Sequence, residues 1–172
     1  EQSATGAFSL AKTVRDPLLV HPAAIVAVGP EQFYVTNDST APRGPRRFLQ
    51  LALGTTTSSV VYYDGAKMTK VADGLRSAAG IASSADARTI YVGEMSGRRL
   101  RIFDRNPDDG SLQPREAIAL DGAPENLTTD AAGNVWIAAI PRRSAALADR
   151  DDSAARAPSQ VLKFSPSARG VA

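Results

Sequence analysis

Oxygen-bearing side chains at the polar ends of short apolar runs are where this sequence could hold chemistry. Asp38 follows Asn37 directly after Phe33-Tyr34-Val35-Thr36, and Glu125-Asn126 stands just before Leu127. A strand that ends on polar residues at a loop or a pocket can carry chemistry. Each also has a plainer reading. Asp38 can cap the turn after its strand, and Glu125-Asn126 can satisfy backbone amides where a loop becomes a strand. The cluster Asp149-Arg150-Asp151-Asp152 lacks the Gly-pivoted spacing of an EF-hand and reads as a solvated loop. His21 is the single histidine, is followed by Pro22, and has no Ser or Asp constellation of its own, so it reads as a loop residue. The chain has no cysteine, which excludes a thiol nucleophile, a Cys-based zinc site, an iron–sulfur cluster and disulfides.

The 172 residues suffice for one domain with a sizeable core, and 43% hydrophobic with 22% charged residues fits a globular chain. A net charge of +2 points to a mixed solvated surface and to no nucleic-acid partner. The tight basic clusters, Arg98-Arg99-Leu100-Arg101 and Arg142-Arg143, have no aromatic stacking platform beside them. No apolar run approaches the roughly eighteen residues of a membrane span. The polar start, Glu-Gln-Ser-Ala-Thr-Gly, is not an intact signal peptide. Asn37-Asp-Ser and Asn126-Leu-Thr match the glycosylation sequon, which matters only in a secreted eukaryotic protein.

The elements that must position these groups are short strands. Ile25-Val-Ala-Val28 and Phe33-Tyr-Val-Thr36 flank Gly29-Pro30-Glu31-Gln32, the pattern of a hairpin. Val60-Val-Tyr-Tyr63 closes on the Asp64-Gly65 turn signal, and Lys67 to Val71 alternates as its partner. Ile25–Val35, Ile81–Val92 and Leu127–Ile137 share one plan: an aliphatic start, a turn, then a strand centred on Tyr34, Tyr91 or Trp136. Those aromatics are 57 and 45 residues apart, which brackets the length of a four-stranded propeller blade. The expectation is an all-β chain, most specifically a β-propeller with three to four blades present as a partial ring. A β-sandwich is the alternative. Residues 1–172 are expected to form one such domain, with a long polar loop at 141–158. Phe48–Leu53 reads as a short helix or a buried lid segment. Too few blades to close a ring implies missing blades of a longer protein or another chain that completes it.

Several of these stretches resemble the paraoxonase/arylesterase family. They are Ile25 to Asp38, Val60 to Tyr63, Lys70 to Leu75, Gly80-Ile81 leading to Thr89–Glu94, and Glu125-Asn126-Leu127 leading to Asn134–Ile137. Lys12–Arg15 and Ser159–Leu162 extend the likeness, so it spans roughly residues 8 to 165. The resemblance implies part of a six-bladed propeller that hydrolyses small esters or lactones. It also implies calcium in the central tunnel, secretion or a periplasmic location, and a histidine pair on an early blade that this chain lacks. By the same resemblance Glu125 and Asn126 are metal ligands and Asp38 is an active-site residue. Where the family shows Asn-Asp before the first hairpin this chain has Ala23-Ala24, and Ala79 replaces the Asn before Gly80-Ile81. Ser39 and Ile140 stand where histidines are common. Alanine has no side-chain oxygen, so weak or absent calcium-dependent activity is expected of this chain alone. The rival reading is an inactive propeller that serves as a binding or scaffold module.

Overall fold

The computed structural model describes residues 9–40, 44–45, 49, 57–141, 159–166 and 170–171. Among the described residues, twelve strands form three four-stranded antiparallel sheets, each ordered as its strands occur along the chain. The first sheet holds β1 (Pro22–Ala27), β2 (Phe33–Asn37), β3 (Thr57–Tyr63) and β4 (Met68–Arg76). The second holds β5 (Ala78–Ser83), β6 (Thr89–Glu94), β7 (Arg99–Arg105) and β8 (Leu112–Ala119). The third holds β9 (Ala123–Thr129), β10 (Val135–Ile140), β11 (Gln160–Ser165) and β12 (Gly170–Val171). Each sheet is a meander whose first strand lies against the first strand of the next, β1 on β5 and β5 on β9. Three meanders stacked by their leading strands are consecutive blades of a β-propeller. The sandwich alternative is thereby set aside. The loop expected at 141–158 falls, apart from Pro141, outside the described residues, as does Phe48–Leu53 except for Leu49.

Alternation along the strands explains the stacking. In β3, Val60 and Tyr62 face the second blade, whereas Val61 and Tyr63 face the opposite way. The seam between blades one and two is built from Tyr34, Val60, Tyr62, Leu75, Ile81, Ile90 and Phe103 among others, all buried. The next seam joins Tyr91, Leu100 and Ile102 to Val135, Ile137 and Phe164. Tyr34 and Tyr62 pair across strands with ring centroids 4.7 Å apart. The Tyr34 hydroxyl donates to the Gly110 carbonyl (2.7 Å) and accepts from Arg105 Nε (2.9 Å), which locks blade one to the β7–β8 turn. Gly110 has φ +71°, and a Cβ there would lie 2.1 Å from the Tyr62 ring, so the turn passes the aromatic only without a side chain.

The far side of blade one is covered differently. Val14, Leu18 and Leu19, from the segment before β1, pack on Val35, Val61, Tyr63 and Met68. Buried Asn37 holds that segment. Its Oδ1 accepts from the Val20 and His21 amides (3.0 and 3.1 Å), and its Nδ2 donates to the Leu18 carbonyl (2.8 Å). A fully buried amide so engaged is closed to glycosylation, which removes one of the two sequons.

Candidate metal centre

Every leading strand carries an irregularity at the same end, its start. In β1, Pro22 pairs Asn37 and Ala24 pairs Thr36, so Ala23 is an extra residue. In β5, Ala78 pairs Glu94 and Ile81 pairs Val92, which leaves one extra residue within Ala79-Gly80. In β9, Pro124 pairs Ala139 and Asn126 pairs Ala138, so Glu125 is the extra one. A bulge interrupts the ladder and re-aims a side chain, and bulges are frequent beside active sites. The three bulged positions are Ala23, Ala79-Gly80 and Glu125, where the sequence resemblance looks for oxygen ligands.

Close contacts tie these ends together. The Ala24 amide donates to Thr36 Oγ1 (3.1 Å), and that hydroxyl donates to the Ala79 carbonyl (2.6 Å), so one threonine bridges the bulges of blades one and two. Gly80 makes the next joint. A Cβ there would sit 2.8 Å from both the Glu125 carbonyl and the Leu127 amide nitrogen and 2.5 Å from a Leu127 methyl. Only glycine lets β5 approach β9 so closely.

The oxygen donors at this end are few. Glu125 is half-buried, and Asn126 beside it is exposed. Asp38 is half-buried at the end of β2, and its amide donates to the His21 carbonyl (3.0 Å). Among the described residues, no group of three His, Cys, Asp or Glu side chains converges as a metal cage would. Calcium takes six to eight oxygens, drawn from carboxylates, carbonyls and water. One carboxylate, one neighbouring amide and Asp38 do not make that set, and the Ala79 carbonyl is already engaged by Thr36. Among the described residues, the donors at this end do not by themselves fit a calcium ion, and the buried Glu94 carboxylate nearby is held by Arg99.

The same end of blade two holds a charged group that the sequence reading passed over. Glu94, at the end of β6, is fully buried and ion-paired with Arg99 Nε across the β6–β7 turn, and its Oε1 lies 3.5 Å from Arg101 Nη1. Glu94 raises the Arg99 pKa further. Arg98 pairs with Asp121 (3.3 Å). The basic run Arg98–Arg101 is therefore spent on internal pairs. Its signal in the sequence was a glutamate and an arginine bracketing a four-residue turn, Met95–Arg98, which places them opposite each other in register.

Blades that stack by bulged leading strands, with their polar ends gathered at one mouth, define a partial β-propeller, and the comparisons give its lineage. The sequence profile of the Arylesterase family matches residues 1–170, and the chain belongs to that family. It is 35% identical over 131 residues to serum paraoxonase/arylesterase 2 of Gallus gallus and 33% identical to serum paraoxonase/arylesterase 1 of Rattus norvegicus. Each match takes in 76% of this chain and 37% of the relative, so the chain spans well under half the length of these relatives. Among solved structures, it superposes on a luciferin-regenerating enzyme (TM-score 0.55, 19% identity, 85% of this chain and 41% of that one). It also superposes on the Pseudomonas aeruginosa periplasmic gluconolactonase PpgL (TM-score 0.53, 13% identity, 90% and 44%). A chain of the nidogen–laminin complex gives a TM-score of 0.57 at 15% identity, over 91% and 48%. These likenesses show the fold.

Proposed function

We propose that this chain is an arc of a carboxylic-ester hydrolase of the paraoxonase type, acting on a small ester or lactone, and that alone it turns such substrates over weakly or not at all. The observation that carries the reading is the row of bulged leading-strand starts, with a donor retained at Glu125 and alanine at Ala23 and Ala79. In a complete ring, Glu125 and Asn126 would be the residues of this chain that lend oxygens to a calcium ion, with Asp38 at the same end of blade one. A calcium ion there would polarise an ester or lactone carbonyl and oppose the charge that develops on its oxygen. This reading requires further blades to supply the remaining oxygens and the base that activates water. The serum relatives and the periplasmic neighbour favour a secreted or periplasmic setting. Among the described residues no helix is long and apolar enough to cross a membrane.

Hydrolysis of aryl esters and lactones, measured with added calcium and again with chelator, tests the reading. Little turnover from the chain alone is expected. Robust, chelator-sensitive turnover would show that its own donors suffice. The alternative of an inactive binding module gains support if a whole-length ring, supplied with calcium, hydrolyses neither aryl esters nor lactones.

A further inference from the structure

Blade two holds a buried carboxylate and an arginine whose hydrogen bonds do not match. Alternation along β6 turns Ile90, Val92 and Glu94 to one face, the face that Ile90 and Val92 bury against blade one. On β7 the same face carries Arg99 opposite Glu94, Arg101 opposite Val92 and Phe103 opposite Ile90. On the edge strand β8 it carries Ala119 opposite Arg99 and Ala117 opposite Arg101, both exposed. Gly97 in the β6–β7 turn closes over the Glu94 carboxylate, since a Cβ there would stand 2.7 Å from Oε2. Inside that enclosure Oε2 accepts from Arg99 Nε, while Oε1 has no hydrogen-bond donor. Arg101 Nη1 faces Oε1 from 3.5 Å, out of hydrogen-bond geometry, and the Arg101 guanidinium lies 5.3 Å from the centre of the Phe103 ring. Arg101 therefore has its N–H donors without an acceptor among the described residues, although only 20% of its side chain is exposed.

We infer that Arg99 and Arg101, held by buried Glu94, form a shelf that binds a small carboxylate. Three guanidiniums meet two carboxylates in this corner, Arg98, Arg99 and Arg101 against Glu94 and Asp121, so one positive charge is left over. A remainder of one charge suits a monoanion better than a phosphate dianion. The N–H groups still without a partner belong to planar forks, which match a carboxylate with two parallel hydrogen bonds. A guanidinium so far withdrawn from water has lost most of its hydration, and a charge-assisted hydrogen bond to an anion offsets that loss. A metal cation at Glu94 Oε1 is disfavoured, because Arg99 and Arg101 already stand against that carboxylate. Ala117 and Ala119 present only methyl groups beside the forks, so the approach from the edge strand is open. A carboxylate is what hydrolysis of an ester or lactone releases, and Glu94 pairs Ala78 at the end where β5 is bulged. That the shelf receives product acid rests on the hydrolase reading, whereas the binding itself does not.

The probe is acetate, titrated into the 172-residue chain at constant ionic strength with chloride as the balancing anion. Binding is read from the arginine Nε–H signals in heteronuclear NMR spectra. Saturable shifts of Arg99 and Arg101 that follow one binding curve are expected. Arg101→Lys keeps the charge and loses the fork, and acetate binding read at Arg99 should weaken about tenfold, the loss expected for one charge-assisted hydrogen bond. Ala117→Glu, on the exposed edge strand, places a carboxylate of the chain's own beside Arg101. It should abolish the acetate response and raise the unfolding midpoint. Absence of a saturable response in the parent chain overturns the inference and means that Arg101 is engaged with Glu94 alone. An Arg101→Lys variant that binds acetate as the parent does also overturns it, since charge without the fork would then suffice, and so does an Ala117→Glu variant with an unchanged response. Tighter binding of inorganic phosphate than of acetate at the same signals overturns the assignment to a carboxylate. A whole-length ring that hydrolyses no ester while its shelf still binds acetate would contradict the hydrolase reading and leave this inference standing.

Discussion

The seam between blades one and two and the mouth formed by the leading-strand starts lie a few residues apart, yet they are built to different standards. At the seam the polar groups of Tyr34 and Arg105 are engaged. The Tyr34 hydroxyl both donates and accepts, Arg105 is held against two aromatic rings, and the Gly110 turn fits around Tyr62. At the mouth the backbone has the bulges, the Thr36 bridge and the glycine joint of a site, while two of the three bulges present a methyl group. The difference teaches that the requirements of the fold and those of the chemistry are separable. Burial of apolar faces and pairing of buried polar groups maintain the seam whether or not a metal is held. Ligand oxygens at the mouth contribute only when an ion is there to bind.

Substitutions can break this contrast from either side. The largest effect is expected from Gly80→Ala, because the new Cβ meets the backbone of Glu125 and Leu127, which has no room to yield. Overpacking of that kind costs about 3 kcal/mol, and a chemical-denaturation midpoint that barely moves would show that the joint is looser than described. Next is Tyr34→Phe, which leaves the buried Arg105 Nε and the Gly110 carbonyl without their shared partner, a loss of about 2 kcal/mol.

The same residue predicts a pH signature. Burial pushes the Tyr34 phenol up to about 12, against the partial opposition of the Arg105 guanidinium. A folded pKa above the unfolded value near 10 means that this contribution is complete below pH 10 and disappears as pH rises through 12. The parent should therefore lose stability relative to Tyr34→Phe over that interval, and parallel alkaline melting curves would contradict it.

Restoring donors tests the other region. Ala23→Asp combined with Ala79→Asn supplies oxygens at two bulges, and the unfolding midpoint should then rise with calcium where the parent's does not. At calcium tenfold above the dissociation constant the gain is about 1.4 kcal/mol. The smallest effect belongs to neither region. Asp130, in the β9–β10 turn, is held at about 2 by hydrogen bonds from the Asn134 amide, the Trp136 indole and backbone amides. Its contribution is present above the ordinary aspartate range and fades as pH falls toward 2. Asp130→Asn should flatten the acid limb slightly, which acid titration of the melting temperature would detect.

How much of this was legible in the sequence follows from what kind of information each feature is. Strands and turns are local, so Gly29-Pro30, Asp64-Gly65 and the recurring Tyr34, Tyr91 and Trp136 marked the blades well. Asp38 stood out at the polar end of its strand, while Glu125 and Asn126 stood out only through the family resemblance; the structure puts Asp38 directly after β2 and the other two within β9. The bulges were not legible, because register is a property of two strands together, and Ala23 looks like any alanine until Pro22 and Ala24 are paired. Asn37 drew notice only as a sequon match and is a buried brace for residues 18–21, since those partners lie 16 to 19 residues upstream. Tyr34 with Arg105 is a pairing across blades, 71 residues apart in the chain, that no single window contains.

A calcium titration of thermal unfolding, run on the parent chain and repeated with chelator, tests most directly the claim that the framework is intact while the donor set is incomplete. The account predicts one cooperative transition whose midpoint calcium leaves unchanged. A saturable, chelator-reversible rise in that midpoint would contradict it, for it would mean that the parent chain already holds the ion.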